Sequence, residues 1–339
     1  MNHRESYDEY EHYEDLFDPM QHDRQARRQR RPQPNHRPKK AEQKVVHELA
    51  DQLIELEGGF QTTYRPSRYE ATWLLAALQP FYEQAMITDV LALIGGGKEA
   101  GVYRCVAHPS TGATLLAAKV YRPRMFRQLR NDKMYREGRA ILDTDAHSVM
   151  DSMHQDRIAR AIGKKTAFGV QVSHTSWLMH EFTALQQLHA AGAAVPKPFL
   201  AADNAILMSY HGDEQVAAPT LNGIELDEGE ARRLFRVVEH TVEIMLRHGL
   251  IHGDLSAYNL LYWEGEVTVI DFPQIVDIRS NASAAFILHR DLTRICEYFA
   301  AQGVACSADA LFERLWRRYG RRDPKEVLAD LSRLNPEGE

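Results

Sequence analysis

The sequence predicts an α+β protein of two unequal lobes: a small antiparallel β-sheet forms the first, and mainly helices form the second. Short β-prone runs fill residues 90–121 and 199–210, with one predicted helix between them. After residue 228 the pattern is mostly helical and contains a single β-hairpin. Segregated strands and helices are typical of α+β proteins, and the cleft between two lobes is where we expect a ligand site.

Composition is that of a globular protein. The chain has 339 residues, of which 44% are hydrophobic, enough for one large domain or two lobes. No apolar stretch approaches the roughly 18 residues that a membrane span needs. The three cysteines show no metal-binding spacing, and their odd number favours a reducing compartment. We therefore expect a cytoplasmic protein without membrane association.

The first 44 residues are strongly charged in two blocks. Residues 1–18 hold seven acidic side chains and one arginine, whereas residues 21–44 hold nine lysines and arginines and two acidic residues. Such blocks bury too little apolar surface to offset the entropy of ordering, so we predict a disordered acidic/basic tail over residues 1–44. The basic block is suited to the phosphate backbone of RNA or DNA. A solubilising tail without a partner fits the same composition.

The first lobe is predicted at residues 89–211, after an N-terminal helical extension over 45–88. That extension contains helical patterns at 45–57 and, around a proline, at 72–86. A charged, flexible insertion is expected at about 122–175, followed by a helix from Trp177 to Ala191 with Ser176 as its N-cap. The strands are predicted at 90–94, 102–107, 114–121, 199–202 and 205–210.

The second lobe is predicted at residues 212–339. Its clearest element is an amphipathic helix from Glu228 to His248, which Gly249 ends. A strand is predicted at 267–270, and further helices at about 283–302, 307–319 and 324–334. The long helix leads directly into the stretch that carries the most specific chemistry.

That stretch, LIHGDLSAYNLLYWEGEVTVIDFPQ, contains two aspartates, Asp254 and Asp271, and one asparagine, Asn259. Phosphoryl transfer needs a divalent metal, an aimed nucleophile and neutralised phosphate charge. We expect a tight turn to bring Asn259 beside Asp254, and the strand at 267–270 to bring Asp271 to the same place. Asp254 would then accept the proton of the attacking hydroxyl, or orient it, while Asn259 and Asp271 hold magnesium. His252 is expected to orient the loop.

A glycine-rich hairpin supplies a candidate phosphate site. The segment IGGGKEAGV has the pattern G-x-G-x-x-A-x-V between two predicted strands, which is close to the glycine loop of protein kinases and differs from a Walker loop. Backbone amides of such a loop cover nucleotide phosphates. The candidate residues are Gly95, Gly96, Gly97, Lys98, Glu99, Ala100 and Val102.

Lys119 lies in an apolar strand, where a buried ammonium group needs an anionic partner. We expect Lys119 to contact the α- and β-phosphates of a nucleotide and to pair with Glu181 of the following helix. Met208, at the end of a strand, is expected at the back of an adenine pocket. The connector whose backbone would bind the base is Ser209, Tyr210 and His211.

Taken together, these motifs resemble those of the RIO-type atypical serine/threonine protein kinases. GGGKEAGVYRC is similar to that family's S-T-G-K-E-A-x-V-Y loop, AAKVYR to its lysine strand, and HGDLSAYNLLY to its H-x-D-L-S-x-Y-N-I-L catalytic loop. Later segments of the family are similar to three further stretches, HEFTALQQLHAAGAAVPKP, VIDFPQ and HRDLTRICEYFAAQGV. The third stretch resembles the family pattern R-D-x-x-N-x-x-x-F-F-x-x-x-G. The resemblance runs from Leu91 to Val304 and is closest to a bacterial-like RIO core without a winged-helix domain.

The resemblance implies a two-lobed kinase fold that binds ATP with Mg²⁺ or Mn²⁺ and catalyses serine/threonine phosphorylation, an ATPase cycle or both. It assigns Lys119 and Glu181 to phosphate positioning, Asp254 to the base, and Asn259 and Asp271 to metal. In relatives the metal-binding aspartate can become phosphorylated, which would make Asp271 an acceptor. Ser256 stands where ordinary protein kinases carry a lysine. The family resemblance does not identify the protein substrate, which could be the kinase itself through autophosphorylation. It also implies a link to ribosome or RNA biology.

Three departures from the family pattern affect the substrate more than the fold. Gly95–Gly97 replaces Ser-Thr-Gly, Gly101 stands where asparagine is frequent, and SNAS replaces a His-Pro-x-Ala segment. A small-molecule phosphotransferase of the aminoglycoside or choline kinase type shares H-G-D-x-x-x-x-N and I-D-F and is the main alternative. A nucleotide-binding pseudokinase or RNA-associated scaffold is the alternative from another class, and the five retained candidate catalytic residues argue against it.

Overall fold

The computed structural model describes residues 60, 62–97, 100–122 and 167–320. The predicted disordered tail, the helices at 45–57 and 324–334, most of the charged insertion, and two candidate glycine-loop residues, Lys98 and Glu99, lie outside the described residues. In the described ranges, every helix is too short or too polar to traverse a lipid bilayer.

The first lobe is built on a five-stranded antiparallel sheet, which confirms the predicted fold class. The strands are β1 (Ile87–Gly96), β2 (Ala100–Ala107), β3 (Leu115–Tyr121), β4 (Pro198–Ala202) and β5 (Ala205–Ser209). Their order in the sheet is β1-β2-β3-β5-β4. Each predicted strand is present, with ends shifted by a few residues, and the domain boundary predicted at residue 89 falls within β1.

Side chains of β3 alternate between two cores. Leu116, Ala118 and Val120 belong to a cluster on the outer face of the sheet. Ala117 and Tyr121 face the opposite way, into the larger cluster that continues into the second lobe. Because successive side chains of a strand point to opposite faces, Lys119 lies on the same face as Ala117 and Tyr121. The strand period thus directs the lysine towards the second lobe.

Helix α1 (Arg68–Glu83) covers the outer face of the sheet. Its start is fixed by a capping box in which Ser67 accepts from the Glu70 backbone amide and the Glu70 carboxylate accepts from the Ser67 amide. Leu74, Leu78 and Phe81 are fully buried against the sheet. The helix begins four residues before the predicted start at Thr72, and its packing makes it part of the core of the first lobe.

Helix α2 (Ala167–Ala190) begins well before Ser176, so the prediction of Ser176 as its N-cap is wrong. Serine disfavours a helix interior only slightly, and the preceding residues continue the helical pattern, so a single capping residue type does not fix the start. The last part of the predicted insertion is therefore helical. The predicted end is close to the observed one, since Gly192 adopts φ +82° just after the helix.

The second lobe contains the amphipathic helix α3 (Glu228–Arg247), capped by Asp227 and followed by Gly249 at φ +74°. The remaining strands are β6 (Leu250–Ile251), β7 (Leu260–Trp263), β8 (Glu266–Val269) and β9 (Val276–Asp277), and the remaining helices are α4 (Ala284–Ala301) and α5 (Ala308–Tyr319). Strands β7 and β8 form a hairpin, and β6 pairs with β9. The β6–β9 pair was not predicted, because two-residue strands show no periodicity.

The packing of α1 predicts a stability difference between two leucines of the same helix. Leu78 is fully buried in the outer-face cluster, whereas Leu75 is only partly buried. We expect Leu78→Ala to lower the free energy of unfolding by about 2–5 kcal/mol, because it leaves a cavity, and Leu75→Ala to lower it by clearly less. Urea denaturation followed by circular dichroism measures both values. Equal losses would show that α1 does not contribute to the core as described.

Candidate active site

The loop before Asp254 is held through the backbone of Gly253. The Gly253 amide donates to Asp291 Oδ2 at 2.8 Å, and its carbonyl accepts from the Arg290 guanidinium of the same helix, α4. Gly253 adopts φ +85°, and a Cβ at this position would lie 2.1 Å from the carbonyl oxygen of Gln274. Only glycine therefore fits between α4 and the segment after Asp271.

Asn259 lies beside Asp254, as the tight turn requires. Its Nδ2 donates to the Asp254 carbonyl at 2.8 Å and is 3.3 Å from Asp254 Oδ2. A 3₁₀ turn over Ala257–Asn259 produces this return of the chain. Because Nδ2 faces Asp254, the amide oxygen Oδ1 is the Asn259 atom that could ligate a metal.

His252 joins the two loops of the site. Its Nδ1 accepts from the Asp254 amide at 3.2 Å, which places the proton on Nε2, 3.0 Å from the Ile270 carbonyl. The Ile270 amide in turn donates to the Asn259 carbonyl at 2.9 Å. The residue before Asp271 is thus bonded to both ends of the Asp254 loop, and these bonds bring together side chains that are far apart in the chain.

The Asp254 carboxylate also contacts a cation whose role no local pattern in the sequence indicates. Arg294 of α4 places Nη1 2.6 Å from Asp254 Oδ1. The side chains of Arg294 and Asp254 are 3% and 14% exposed, so this ion pair is almost wholly buried. The segment HRDLTR is part of a motif in the sequence, but only the fold shows which of its polar side chains face the Asp254 loop.

Asp271 follows β8 in a left-handed backbone conformation, φ +68°. A non-glycine residue in this region carries strain, which persists where the surrounding structure demands it. Asp271 Oδ1 lies 2.5 Å from Lys119 Nζ, and its side chain is 40% exposed. The bend therefore presents the carboxylate to the lysine and to solvent.

Lys119 bridges two carboxylates. Its Nζ is 2.7 Å from Glu181 Oε1 of α2 as well as 2.5 Å from Asp271. Burial lowers the pKa of Lys119, but Asp271 and Glu181 outweigh that effect and raise the pKa well above its ordinary value. The ammonium therefore stays charged in a buried position, and the predicted pairing with Glu181 is present in the structure.

Tyr121 and Trp177 support this pair and were missed in the sequence. The Tyr121 hydroxyl donates to Glu181 Oε2, and burial together with Glu181 raises the pKa of Tyr121 well above its ordinary value. The Tyr121 ring packs edge-on against Trp177, whose indole N–H donates to the Pro273 carbonyl at 2.9 Å. Tyrosine and tryptophan in apolar runs appear as core residues in a sequence, so no local pattern distinguishes these two.

The glycine hairpin lies beside Lys119 in the sheet. Gly95 pairs with Val102, and Val102 pairs with Lys119 on the neighbouring strand. The Gly97 amide donates to the Ala100 carbonyl at 2.8 Å. Ala100 and Val102 pack against the same cluster that Tyr121 joins, so this face of the hairpin is directed towards the second lobe.

Steric crowding explains the glycine at position 101, where the family pattern often has asparagine. A Cβ on Gly101 would lie 2.9 Å from the Tyr103 hydroxyl. That hydroxyl donates to Glu70 of α1 at 2.6 Å, and Tyr103 is fully buried. Helix α1 thus fixes the tyrosine that occupies the space a side chain at position 101 would need.

Met208 is buried in β5 on the same face as Lys119, where β5 pairs with β3. In the connector that follows, the Ser209 amide donates to the Lys197 carbonyl and the His211 carbonyl accepts from Ala218. A base contact of the kind expected here would therefore need other backbone groups of Tyr210 and His211. The imidazole of His211 is partly buried, which lowers its pKa.

Ser256 is buried, and its hydroxyl has no hydrogen-bond partner among the described residues. The described ranges also contain no group of three or more His, Cys, Asp or Glu side chains arranged for a metal ion. A metal bound by Asn259 and Asp271 would therefore need further oxygen ligands from water or from a nucleotide. Magnesium commonly binds in this way, through one or two protein oxygens plus phosphates.

Comparison with known proteins places this chain in a family. A family model described as the RIO domain matches residues 102–311, more than half of the chain. The RIO-type serine/threonine-protein kinase Rio1 of Haloferax volcanii is 28% identical over 240 residues, which cover 70% of this chain and 72% of that protein. Serine/threonine-protein kinase RIO1 of Chaetomium thermophilum is 31% identical over 235 residues. These residues cover 66% of this chain and 42% of that protein.

A solved structure supports the same fold. The crystal structure of the Rio2 kinase in an ADP/Mg²⁺–phosphoaspartate complex, from Chaetomium thermophilum, matches with a TM-score of 0.50 and 18% identity. The match covers 86% of this chain and 79% of that chain. The comparisons confirm the predicted family and do not favour the aminoglycoside or choline kinase alternative. The chain therefore belongs to the RIO family of serine/threonine-protein kinases.

Proposed function

We propose that this protein binds ATP with a divalent cation in the cleft beside Lys119 and transfers the γ-phosphoryl group to a serine or threonine hydroxyl, or to water. The observation that carries this proposal is the Lys119 bridge. A buried ammonium contacts both the α2 glutamate and the Asp271 carboxylate, on the sheet face next to the glycine hairpin. Phosphoryl transfer depends on such positioned charges more than on covalent chemistry.

The side chains present fit magnesium. Lys119 contacts Asp271 Oδ1, which leaves Oδ2 as the carboxylate oxygen that would ligate the ion together with Asn259 Oδ1. Both are hard oxygen donors, which magnesium prefers, and manganese is accepted by the same donor types. When bound, the ion would neutralise charge on the β- and γ-phosphates. The buried hydroxyl of Ser256, which has no partner within the described part of the chain, is a further polar group to which a ligand or water could bind.

Asp254 is the residue that we assign to the nucleophile. Its carboxylate would orient the attacking hydroxyl and accept its proton as the new oxygen–phosphorus bond forms and the bond to ADP breaks. His252 and Asn259 hold the loop on which it lies. Lys119 and Glu181 would position the nucleotide, with the glycine hairpin over the phosphates and the connector after Met208 beside the base.

Asp271 offers a second acceptor. Its side chain is 40% exposed, against 14% for Asp254, so its carboxylate is the more accessible of the two. The related Rio2 kinase was crystallised as an ADP/Mg²⁺–phosphoaspartate complex. Transfer of the γ-phosphoryl group to Asp271, followed by hydrolysis, would give an ATPase cycle at the same site.

Substitutions of the two aspartates test the proposal. We expect Asp254→Asn to reduce ATP turnover by about 100-fold or more, because the base is lost, while the dissociation constant for ADP with magnesium changes by less than about twofold. Asp271→Asn should weaken magnesium-dependent nucleotide binding by at least about tenfold, because it removes a ligand. Phosphate release and isothermal titration calorimetry measure these quantities.

Asp203→Asn, in the exposed turn between β4 and β5, is the matched control and should behave like the parent protein. If Asp254→Asn and Asp271→Asn both hydrolyse ATP at the parent rate, the proposed function is wrong.

Tyr121→Phe tests the support of Glu181. The variant removes the hydroxyl that donates to the Glu181 carboxylate while keeping the ring. A hydrogen bond to a charged group contributes about 1.5–3 kcal/mol, so we expect kcat/KM for ATP to fall by about tenfold. Tyr262→Phe removes a similar bond, from Tyr262 to Glu230 at 2.7 Å, away from the site, and should leave kcat/KM unchanged. Equal effects of the two substitutions would contradict a special role for Tyr121.

We further propose that the protein is cytoplasmic and that its basic block, residues 21–44, contacts RNA. Its three cysteines are free thiols, which fits a reducing compartment.

Removal of residues 1–44 should leave basal ATP hydrolysis unchanged but weaken binding to a single-stranded RNA oligonucleotide and flatten its salt dependence, because fewer counterions are released. Fluorescence anisotropy at several salt concentrations measures this, and full-length protein with the nine Lys and Arg changed to Gln is the control. An unchanged salt slope in both would rule out the RNA contact.

A further inference from the structure

The buried guanidinium group of Arg294 contacts the carboxylate of Asp254, the proposed base. Helix α4 places Arg290, Asp291 and Arg294 against the catalytic loop. The first two pair with each other at 2.9 Å and bind the backbone of Gly253. Arg294 differs from them because its charge is directed at a side chain of the loop itself, the Asp254 carboxylate, at 2.6 Å.

Stability alone does not account for this ion pair. A buried charge needs a partner, since removing one member of a pair leaves the other uncompensated. A well-packed apolar pair of similar volume, however, is often as stable as a buried ion pair. The Arg294 side chain is only 3% exposed and pairs with Asp254. An effect of the arginine on the Asp254 carboxylate therefore explains its presence better than stability does.

The contacts of Asp254 show what that effect is. Oδ1 is bound by Arg294 at 2.6 Å, and Oδ2 is 3.3 Å from Asn259 Nδ2. With a donor at each oxygen, rotation of the carboxylate about its Cβ–Cγ bond is restrained. The oxygen lone pairs that face the cleft are then held in one direction before any substrate arrives, which is the kind of preorganisation that catalysis requires.

The sequence gives an independent reason to expect a cation here. Ordinary protein kinases carry a lysine two residues after the catalytic aspartate, whereas this chain has Ser256. The α4 segment reads R-D-L-T-R, so Arg294 stands where the RIO pattern R-D-x-x-N has asparagine. The loop HGDLSAYN thus contains no lysine or arginine, and the cation next to Asp254 is Arg294 of helix α4.

We propose that Arg294 is a positioning residue that fixes the orientation of the Asp254 carboxylate from α4, an inference that rests on the function proposed above for Asp254. It acts through Asp254 and does not touch the nucleotide. A loss of this orientation should therefore slow the chemical step without weakening nucleotide binding.

Arg294→Met, which keeps much of the side-chain length and removes the charge, tests this. We expect kcat for ATP hydrolysis to fall by about 10- to 100-fold, because the base is misplaced, while KM for ATP stays within about twofold of the parent value. Arg294→Lys, which restores a charge but not the planar fork, should recover part of the loss. In the Asp254→Asn background, Arg294→Met should cause no further loss, because two residues that act as one unit are not additive.

Each outcome decides the proposal. A parent-like kcat in Arg294→Met, or an equal loss in the parent and Asp254→Asn backgrounds, would overturn it. If Arg294→Met does not fold, Arg294→Leu, which likewise removes the donor to Asp254, takes its place with the same expectations. Should Asp254→Asn itself keep parent turnover, the proposed function fails instead. A crystal structure of the Arg294 variant still tests positioning in that case, since an Asp254 carboxylate unmoved beside Asn259 would refute it.

Discussion

The site depends on one buried cation, the Lys119 ammonium, and on the two carboxylates that keep it charged. Taken out of water without partners, this group would lose its proton or leave the interior. Glu181 comes from a helix of the first lobe, and Asp271 comes from a loop of the second. A single charge therefore ties β3, α2 and the loop after β8 together, and the hydroxyl of Tyr121 secures the glutamate from the other side.

In the second lobe, the candidate site residues are positioned mainly by hydrogen bonds to the backbone of their loops. Both polar groups of Gly253 are bound by α4, and the space beside its Cα is filled by the Gln274 carbonyl. His252 and Asn259 bond to the Ile270 backbone, which fixes the start of the Asp271 loop relative to the Asp254 loop. The strained φ of Asp271 is maintained within this frame. Rigid support of this kind lets two carboxylates of similar chemistry take different surroundings, one buried beside Arg294 and one open beside Lys119.

Much of the fold followed from local sequence patterns. The five strands of the sheet are short β-prone runs and helix α3 is clearly amphipathic, and their predicted positions agree with the structure to within a few residues. The errors have physical causes. Ser176 was assigned as a cap on its residue type alone, although the helix continues through it. The role of α1 in the outer-face core was not foreseen, because amphipathicity shows that a face is buried but not which surface buries it.

The chain by itself determined which chemical groups are available: the spacing of Asp254, Asn259 and Asp271, the lysine in an apolar strand, and the glycine hairpin are local patterns with local causes. Family membership could be inferred from these motifs in order. The Lys119–Glu181 pair was predicted, but tertiary structure decided the other partners, since pairing depends on which distant segments meet. Tyr121 beside Glu181, Trp177 on the Pro273 carbonyl and Arg294 under Asp254 join residues 40 to 96 positions apart. No periodicity along the chain encodes contacts of that range, because each depends on how distant elements pack: within the first lobe for Tyr121, within the second for Arg294, and between the lobes for Trp177.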